Sequence, residues 1–324
     1  MALSRALYFS VLIAALLLIV PSSAVVPHAL FIFGDSLVDA GNNDYLVTLS
    51  KANSPPYGVD FAFSGGKPTG RFTNGMTIAD IMGEALGQKS PAPPYLAPNS
   101  SAEMTNNGIN YGSGSSGIFD DTGSFYIGRI PLRQQISYFE KTKAQTLEAM
   151  GEEAATDFFK KALFVIAAGS NDILEYLSPS VPFFGREKPD PSSFQDALVS
   201  NLTFYLKCLI QSSDFRTPNG IPPAVTELNI QRIACSKRDL GSLAPPGFDN
   251  ALDPCCGGSF PPFLCIGVSN SSSSLCSDRS KYVFWDAFHP TEAANLIVAG
   301  KLLDGDAAAA SPINVRELFA YEHK

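Results

Sequence analysis

The chain has 324 residues, of which 45% are hydrophobic and 17% are charged. This composition excludes wholesale disorder, collagen-like repeats and coiled-coil arrays, and the length suits a single α/β domain. The formal net charge is -8, from 31 acidic and 23 basic residues, so no basic footprint is available for a phosphate backbone and we expect no nucleic-acid partner.

The first 24 residues have the pattern of a secretory signal peptide. Arg5 precedes an apolar run from Leu7 to Val20, and small residues lead to a predicted cleavage site after Ala24. This run has 14 residues, whereas a transmembrane helix needs about 20. We therefore expect secretion without a stable membrane anchor, and one extracellular domain over residues 25–324.

A first buried strand and a polar turn are predicted after the signal peptide. Residues 29–33 form a continuous apolar run that ends at Gly34, which is typical of a strand covered on both faces of a parallel sheet. Ser36 and Asp39 follow with the S-x-x-D spacing that can cap a helix. The segment therefore predicts a strand, a tight turn and a helix.

The next stretch predicts a long loop, a helix and a second strand. Residues 53–75 mix glycine, proline and aromatic residues without a period, which indicates an ordered surface loop. Helical signals follow over residues 77–86, and residues 109–111 indicate a short strand. The glycine and serine run of residues 112–117 predicts another turn at a strand end, before a helical pattern that includes Leu132.

The clearest strand of the sequence covers residues 162–168 and is closed by the polar residues 169–172. Apolar residues then recur at helical spacing from Phe194 to Leu209. Near the end, residues 282–285 predict a short strand, and a helical stripe follows Pro290. Strands that alternate with helices predict an α/β fold with a parallel, doubly wound sheet, whose ligand sites lie at the carboxyl ends of the strands.

Residues 211–281 depart from this alternation. They are rich in proline, glycine, serine and cysteine and contain no convincing strand. A structureless stretch of this length is unusual inside a compact domain. We expect either irregular structure held by disulfides or a chain that lacks some sheet segments of its relatives.

Cysteines and glycan acceptor sites add two further expectations. In an oxidising compartment the six cysteines predict disulfides, with the pairing left open, and their spacing predicts no metal site. They are Cys208, Cys235, Cys255, Cys256, Cys265 and Cys276. The N-x-S/T pattern predicts N-glycosylation at Asn99, Asn201 and Asn270.

Three of the predicted strands end in unusual polar turns, at residues 34–36, 112–117 and 169–172. Because the carboxyl ends of parallel strands meet at one edge of a sheet, we expect these turns to converge. Ser36, held in the turn after a buried strand, is placed to act as a nucleophile beside an oxyanion site.

A serine nucleophile needs a base at neutral pH, and histidine is the usual one. Of the three histidines, His28 and His323 lie close to chain ends, where order is low. His289 is left as the candidate base. Asp286 precedes it by three residues, a spacing that suits a carboxylate orienting the imidazole while its other nitrogen serves Ser36.

These residues resemble the GDSL esterase/lipases of the SGNH hydrolase superfamily, and in particular the secreted plant branch. The resemblance covers both ends and the centre of the chain in five ordered motifs. They are FIFGDSLVDAGNND (31–44), PTGRFTNG (68–75), NYGSGSSGI (110–118), FVIAAGSNDI (164–173) and VFWDAFHPTEAAN (283–295). The resemblance implies a flavodoxin-like three-layer α/β/α hydrolase with no metal or organic cofactor.

The resemblance also implies roles for single residues. Ser36 corresponds to the nucleophile, Asp286 to the residue that orients the histidine, and His289 to the general base and acid. The family's oxyanion hole would consist of the backbone N–H groups of Ser36 and Gly117 and the side chain of Asn171. Two other glycines in the same run, Gly112 and Gly114, leave the choice of Gly117 open.

The resulting prediction is a secreted serine esterase or lipase that hydrolyses small-molecule or polymeric carboxylic esters through an acyl-enzyme. The aromatic loops of residues 57–63 and 119–126 are candidates to line an acyl pocket. Relatives carry a further helix-strand unit where residues 211–254 stand here, so the chain resembles a shortened or alternatively spliced member. The alternatives are a catalytically silent binding or structural protein, or a transferase that uses an alcohol in place of water.

Overall fold

The computed structural model describes most of the chain, and its elements fall within the described parts. The described residues are 12–18, 29–98, 100, 107–177, 188–212, 225–229, 247–257, 265 and 275–320. The strands are β1 (Leu12–Leu18), β2 (Leu30–Gly34), β3 (Gly108–Asn110), β4 (Leu163–Ala168) and β5 (Val225–Asn229). The helices are α1 (Ile78–Ala85), α2 (Leu132–Met150), α3 (Glu152–Lys160), α4 (Ser170–Leu177), α5 (Pro191–Ser212), α6 (Glu292–Asp304) and α7 (Val315–Ala320). None of the helices in these ranges is long and apolar enough to cross a membrane.

The five strands form one sheet in the order β3-β2-β4-β1-β5. β2 runs parallel to both β3 and β4, with Leu30 opposite Gly108 on one side and Leu163 on the other. This confirms the predicted parallel sheet for the three strands that precede the polar turns. Because β2, β3 and β4 point the same way, the turns that follow them lie at one edge of the sheet.

Two predictions about strands in the C-terminal half are wrong. β5 lies inside residues 211–281, where the sequence predicts no strand. Its five residues, VTELN, do not alternate between apolar and polar side chains, so the segment lacks the sequence signal of a strand. Residues 282–285 were expected to form a strand but make only isolated bridges. The chain turns back there, and the Trp285 N–H donates to the carbonyl oxygen of His289 at 2.7 Å.

β1 lies within the segment that was predicted to be the signal peptide. It pairs antiparallel with β4, from Ala14 opposite Ala168 to Leu18 opposite Phe164, and with β5 on its other side. Cleavage after Ala24 would therefore remove the strand that joins β4 to β5. The predicted cleavage site lies outside the described residues, so processing stays a prediction.

Helices cover both faces of the sheet and give the molecule three layers. Alternate side chains of a strand point to opposite faces, so Leu30 and Ile32 pack on one side of the sheet and Phe31 and Phe33 on the other. The first side is covered by α1, α6 and α7, and the second by α2, α3 and α5. The α/β/α arrangement that the resemblance implied is thus confirmed.

A third cluster of buried side chains contains two disulfides, Cys255–Cys276 and Cys256–Cys265. These disulfides pack against Trp285 and neighbouring aromatic rings. The prediction of disulfides is therefore confirmed for four cysteines. Cys208 on α5 is half-buried and pairs with none of the other described cysteines, and Cys235 lies outside the described residues.

One of the three predicted glycan acceptors, Asn201, can be located in the structure. It lies inside α5, where its side-chain amide donates to the carbonyl oxygen of Ala197 at 2.9 Å. A glycan on this nitrogen would compete with that hydrogen bond. Asn99 and Asn270 lie outside the described residues.

Candidate active site

Ser36 lies in the turn at the carboxyl end of β2 and is 8% exposed. The turn begins at Gly34, which has a φ of 138° and packs so closely on β4 that a Cβ atom would overlap the carbonyl oxygen of Ala167. The Asp35 N–H donates to the same oxygen at 3.0 Å. This close approach of two backbones fixes the point at which Ser36 leaves the sheet.

Asp39 does not cap a helix with Ser36, as its spacing had predicted. Residues 36–39 form a turn, and the Asp39 carboxylate accepts from the N–H groups of Gly41 and Asn42, both at 2.7 Å, and of Gly114 at 2.9 Å. Burial raises the pKa of Asp39 to about 7, although these three hydrogen bonds act in the opposite direction. Asp39 therefore ties the turn after β2 to the glycine and serine run after β3.

His289 lies between Ser36 and Asp286. Its Nε2 atom is 2.8 Å from the Ser36 Oγ, and its Nδ1 atom is 2.8 Å from both carboxylate oxygens of Asp286. The fold thus brings together a hydroxyl and an imidazole that are 253 positions apart in the chain. Both ring nitrogens have the partners that a base needs to receive a proton from a serine.

Asp286 is fully buried and has a partner for each of its oxygens. One oxygen accepts from the backbone N–H groups of Phe288 and His289, at 2.9 and 2.8 Å. The other accepts from the Tyr57 hydroxyl at 2.7 Å. The His289 ring also packs on Phe72, with 4.9 Å between the ring centroids. These contacts hold the carboxylate and the imidazole in one geometry.

The glycine and serine run after β3 lies beside the turn that carries the serine. The Ser116 hydroxyl donates to the carbonyl oxygen of Gly34 at 2.8 Å. A Cβ atom at Gly117 would lie 2.5 Å from side-chain atoms of Asp172 and Thr122. Only glycine fits at position 117 without displacing the side chains of Asp172 and Thr122.

Asn171 lies in the first turn of α4 and reaches the same run. Its side-chain amide donates to the carbonyl oxygen of Ser116 at 2.9 Å. The three turns therefore converge, as the sheet topology predicts. The N–H groups of Gly112 and Gly114 already donate to Asn110 and Asp39.

The N–H groups of Ser36 and Gly117, by contrast, donate to no atom in the described part of the chain. Among Gly112, Gly114 and Gly117, only the Gly117 N–H has no hydrogen-bond partner among the described residues. Two such N–H groups next to a side-chain amide can stabilise an oxygen that gains negative charge.

Asp172 also contributes to the site, and its part was not foreseen. Its carboxylate accepts from the N–H groups of Ile118 and Phe119, at 2.8 and 2.9 Å, and from the Thr122 hydroxyl at 2.7 Å. Burial raises its pKa. Asp172 therefore holds the chain that leaves Gly117. The sequence offered a signal, since Asp172 closes the polar turn of residues 169–172.

A second unforeseen contact joins the turns of β2 and β4. The Ser170 hydroxyl donates to the Asp35 carboxylate at 2.5 Å, and the other Asp35 oxygen accepts from the Leu37 N–H at 3.0 Å. Burial raises the pKa of Asp35 to about 6, against the effect of these hydrogen bonds. Asp35 precedes Ser36, and Ser170 precedes Asn171. The contact therefore fixes Ser36 and Asn171 relative to each other.

The acyl pocket lined by the aromatic residues of 57–63 and 119–126 stays a prediction. Tyr57 is buried behind Asp286, whereas Phe63 and Phe125 are exposed. A small apolar cavity of about 40 Å³ lies beside the polar turn after β4. Its lining consists of Ile118, Ala168, Gly169, Ile173, Leu198, Val199 and Leu202.

The arrangement as a whole unites a hydroxyl, an imidazole, a carboxylate and unpartnered N–H groups. This set of groups suits attack by a serine on a carbonyl carbon, followed by stabilisation of the oxyanion that forms. Among the described residues, no group of three or more histidine, cysteine, aspartate and glutamate side chains is arranged to hold a metal ion.

Comparison with known families gives a match over most of the chain. Residues 30–302 match the family described as GDSL-like Lipase/Acylhydrolase. This range contains all of the residues that form the site described above.

Comparison with individual proteins points in the same direction. The chain is 46% identical to the GDSL esterase/lipase At5g41890 of Arabidopsis thaliana, in an alignment that covers 92% of this chain and 95% of the relative. It is 41% identical to the GDSL esterase/lipase At3g50400 of the same plant, with 90% of each protein covered. The first alignment runs over 349 positions although it includes only 92% of a 324-residue chain, so about 50 positions of that relative have no counterpart here.

Proposed function

Because the chain belongs to the GDSL-like lipase/acylhydrolase family, we propose that it is a secreted serine esterase that hydrolyses carboxylic esters through an acyl-enzyme. One observation carries the mechanism: the Ser36 Oγ and the Asp286 carboxylate lie on the two nitrogens of His289, each at 2.8 Å. This is the constellation by which serine hydrolases on unrelated folds activate a hydroxyl.

In the first half of the reaction, the Ser36 Oγ attacks the ester carbonyl carbon while His289 Nε2 takes the hydroxyl proton. Asp286 stabilises the imidazolium that forms and keeps its Nδ1–H directed at the carboxylate. The C–O bond to the alcohol then breaks, and His289 returns the proton to the departing oxygen. The products of this half are a free alcohol and an acyl group on Ser36.

The second half repeats these steps with water. His289 takes a proton from the water, the hydroxide oxygen attacks the acyl carbon, and the bond to the Ser36 Oγ breaks with return of the proton. In both halves the carbonyl oxygen becomes negative. The N–H groups of Ser36 and Gly117 and the amide of Asn171 would stabilise it. Their proximity follows from Ser116, the residue before Gly117, which bonds to Gly34 in the turn that carries Ser36 and to the Asn171 amide.

The proposed substrates are esters with an apolar acyl group, either small or part of a polymer. The apolar cavity is lined by Ile118, which follows Gly117 in the chain, and by Gly169, which precedes Ser170. This position supports binding of an acyl chain close to the proposed oxyanion donors. Extracellular localisation rests on the predicted signal peptide. A catalytically silent protein is the less favoured alternative, because the complete set of groups is retained in hydrogen-bonding geometry.

A fluorophosphonate probe tests the proposal directly, since it labels only an activated serine. The purified protein should be labelled at Ser36 and should hydrolyse p-nitrophenyl esters, whereas Ser36→Ala should do neither. Folded wild-type protein that resists the probe and leaves these esters intact would refute the assignment. Acyl chains of increasing length in the same assay would define the substrate class.

A further inference from the structure

Tyr57 supports the buried carboxylate of the site from the side opposite His289. Its hydroxyl donates to the Asp286 Oδ2 at 2.7 Å, although the two residues are 229 positions apart in the chain. Tyr57 is 1% exposed and Asp286 is fully buried, so water does not replace this hydrogen bond. A hydrogen bond to a buried charged group contributes more than a neutral one in water.

The surroundings of Tyr57 direct its proton towards Asp286. The hydroxyl oxygen accepts from the Cys265 N–H at 3.2 Å, so the one proton of the hydroxyl is left for the carboxylate. The ring packs edge-on against Trp285 and Phe72, with 6.2 and 6.3 Å between ring centroids. Burial, and then the charge of Asp286, raise the pKa of Tyr57 far above its usual range, so Tyr57 stays a donor at every working pH.

We propose that Tyr57 is a positioning residue of the hydrolase, which fixes the Asp286 carboxylate and sets how strongly it attracts the proton of His289. The inference rests on the proposed function, because it assigns a part in that same site. Among the described residues, the ionisable groups that contact the Asp286 carboxylate are His289 and Tyr57, and Asp35 interacts with His289 through its charge.

The mechanism of this support is electrostatic as well as geometric. A donor on Oδ2 withdraws negative charge from the carboxylate and so weakens its hold on the imidazolium of His289. Without that donor, the Asp286 carboxylate attracts the Nδ1 proton of the imidazolium more strongly, which alters the proton transfers that His289 performs in the proposed mechanism. The carboxylate also loses one of the contacts that fix its plane, so kcat falls while substrate binding is unaffected.

Tyr57→Phe, compared with Tyr111→Phe, tests this inference. Tyr111 is a matched control because it is also fully buried and its hydroxyl also donates to one side chain, Thr142, at 2.8 Å, but it lies in the sheet core away from Asp286. We expect Tyr57→Phe to lower kcat about 10- to 100-fold with little change in KM. The acidic limb of the kcat profile should move up by about one pH unit. Tyr111→Phe should change neither.

A second variant keeps the test sharp if Tyr57→Phe folds poorly. Site-specific 3-fluorotyrosine at position 57 preserves the shape and gives a stronger donor, so the acidic limb should move to lower pH. The idea is wrong if Tyr57→Phe matches Tyr111→Phe in kcat and pH profile, or if fluorination leaves the profile in place.

An additional readout separates this inference from the proposed function. The downfield proton resonance of the His289 Nδ1–H reports the bond to Asp286 even in a protein that hydrolyses no ester. It should shift in Tyr57→Phe and stay in place in Tyr111→Phe. A wild-type protein without esterase activity would refute the function, and an unshifted resonance would refute the role of Tyr57.

Discussion

The Ser170 hydroxyl lies 2.5 Å from the Asp35 carboxylate and donates a hydrogen bond to it. Each of these residues immediately precedes a group of the proposed site, Ser36 in one case and Asn171 in the other. The contact therefore sets the spacing between the proposed nucleophile and a proposed oxyanion donor, although neither Ser170 nor Asp35 touches the ester in the proposed mechanism. Catalytic geometry of this kind is sensitive to displacements of about 1 Å.

Loss of this contact should impair turnover more than it impairs stability. We expect Ser170→Ala to lower kcat about tenfold, with KM little changed, because Asn171 is no longer held relative to Ser36. Ser193→Ala is the control, since the Ser193 hydroxyl donates to Asp190 at 2.6 Å at the exposed start of α5 and contacts neither Asp35 nor Asn171 among the described hydrogen bonds. Steady-state kinetics with a p-nitrophenyl ester would measure both. Equal kcat values for the two variants would contradict the prediction.

The proposed nucleophile, Ser36, and the proposed oxyanion donor, Asn171, should differ in how much activity is lost when each is removed. Ser36→Ala should abolish ester hydrolysis, because losing a serine nucleophile costs up to about a million-fold in a well-studied protease. Asn171→Ala should leave a measurable remainder, about 100- to 1,000-fold below wild type. Asn201→Ala is a suitable control, because the Asn201 amide also donates to a backbone carbonyl at 2.9 Å but lies on α5. An Asn171→Ala variant with wild-type kcat would exclude Asn171 from the oxyanion hole.

Two glycines should respond in opposite ways to alanine. At Gly117 a Cβ atom would lie 2.5 Å from the Asp172 and Thr122 side chains, so Gly117→Ala should displace the loop and reduce activity severely. At Gly300, on α6, a Cβ atom would meet nothing within 4 Å. Gly300→Ala should therefore retain activity and raise stability by about 0.5–1 kcal/mol, since alanine favours a helix over glycine. Thermal melting and kinetics on both variants would check this contrast.

The buried carboxyl group of Asp35 should make stability depend on pH. Burial raises its pKa to about 6, whereas an unfolded aspartate titrates near about 3.9. The folded state therefore binds the proton more tightly, and the stability gained is fully present below about pH 4 and is lost as the pH rises through about 6. The shift corresponds to at most about 3 kcal/mol.

Asp35→Asn should remove this dependence without breaking the local hydrogen bonds. An asparagine oxygen can still accept from the Leu37 N–H, and its amide can donate to the Ser170 oxygen. Urea unfolding at pH 5 and pH 7.5 should show a smaller loss of stability in the variant than in wild type. Asp190→Asn serves as the control, because hydrogen bonds in an exposed turn lower the pKa of Asp190 and so place its effect below this range. A wild-type slope in Asp35→Asn would contradict the prediction.

The N-terminal segment carries two assignments that exclude each other in the mature protein. Residues 12–18 form β1 between β4 and β5, and the same residues lie in the predicted signal peptide. Secretion with cleavage should yield a protein that starts after Ala24, whose β4 edge is unpaired and therefore prone to self-association. N-terminal sequencing of the secreted protein, together with its sedimentation behaviour, would test this. A mature protein that retains residues 12–18 would contradict the predicted cleavage.

Much of the fold is visible in the sequence because it depends on local pattern. The apolar runs at residues 29–33 and 162–168 predict the paired strands β2 and β4, and the polar turns after them mark the edge of the sheet. The D-x-x-H spacing is equally local, since a single turn brings Asp286 onto His289. Such features depend on residues that are neighbours in the chain, so composition and spacing are sufficient to predict them.

Contacts between distant segments could be found only in the tertiary structure. Nothing in the sequence around Tyr57 indicates that its hydroxyl meets Asp286, and an aromatic residue in a loop could equally have faced an acyl chain. The bond between Ser170 and Asp35 likewise depends on how closely β2 and β4 pack at Gly34. The sequence by itself therefore determined which chemical groups the protein carries and which strands present them. The packing of whole elements decided which buried polar groups meet, because each such group needs a partner and the fold alone selects it.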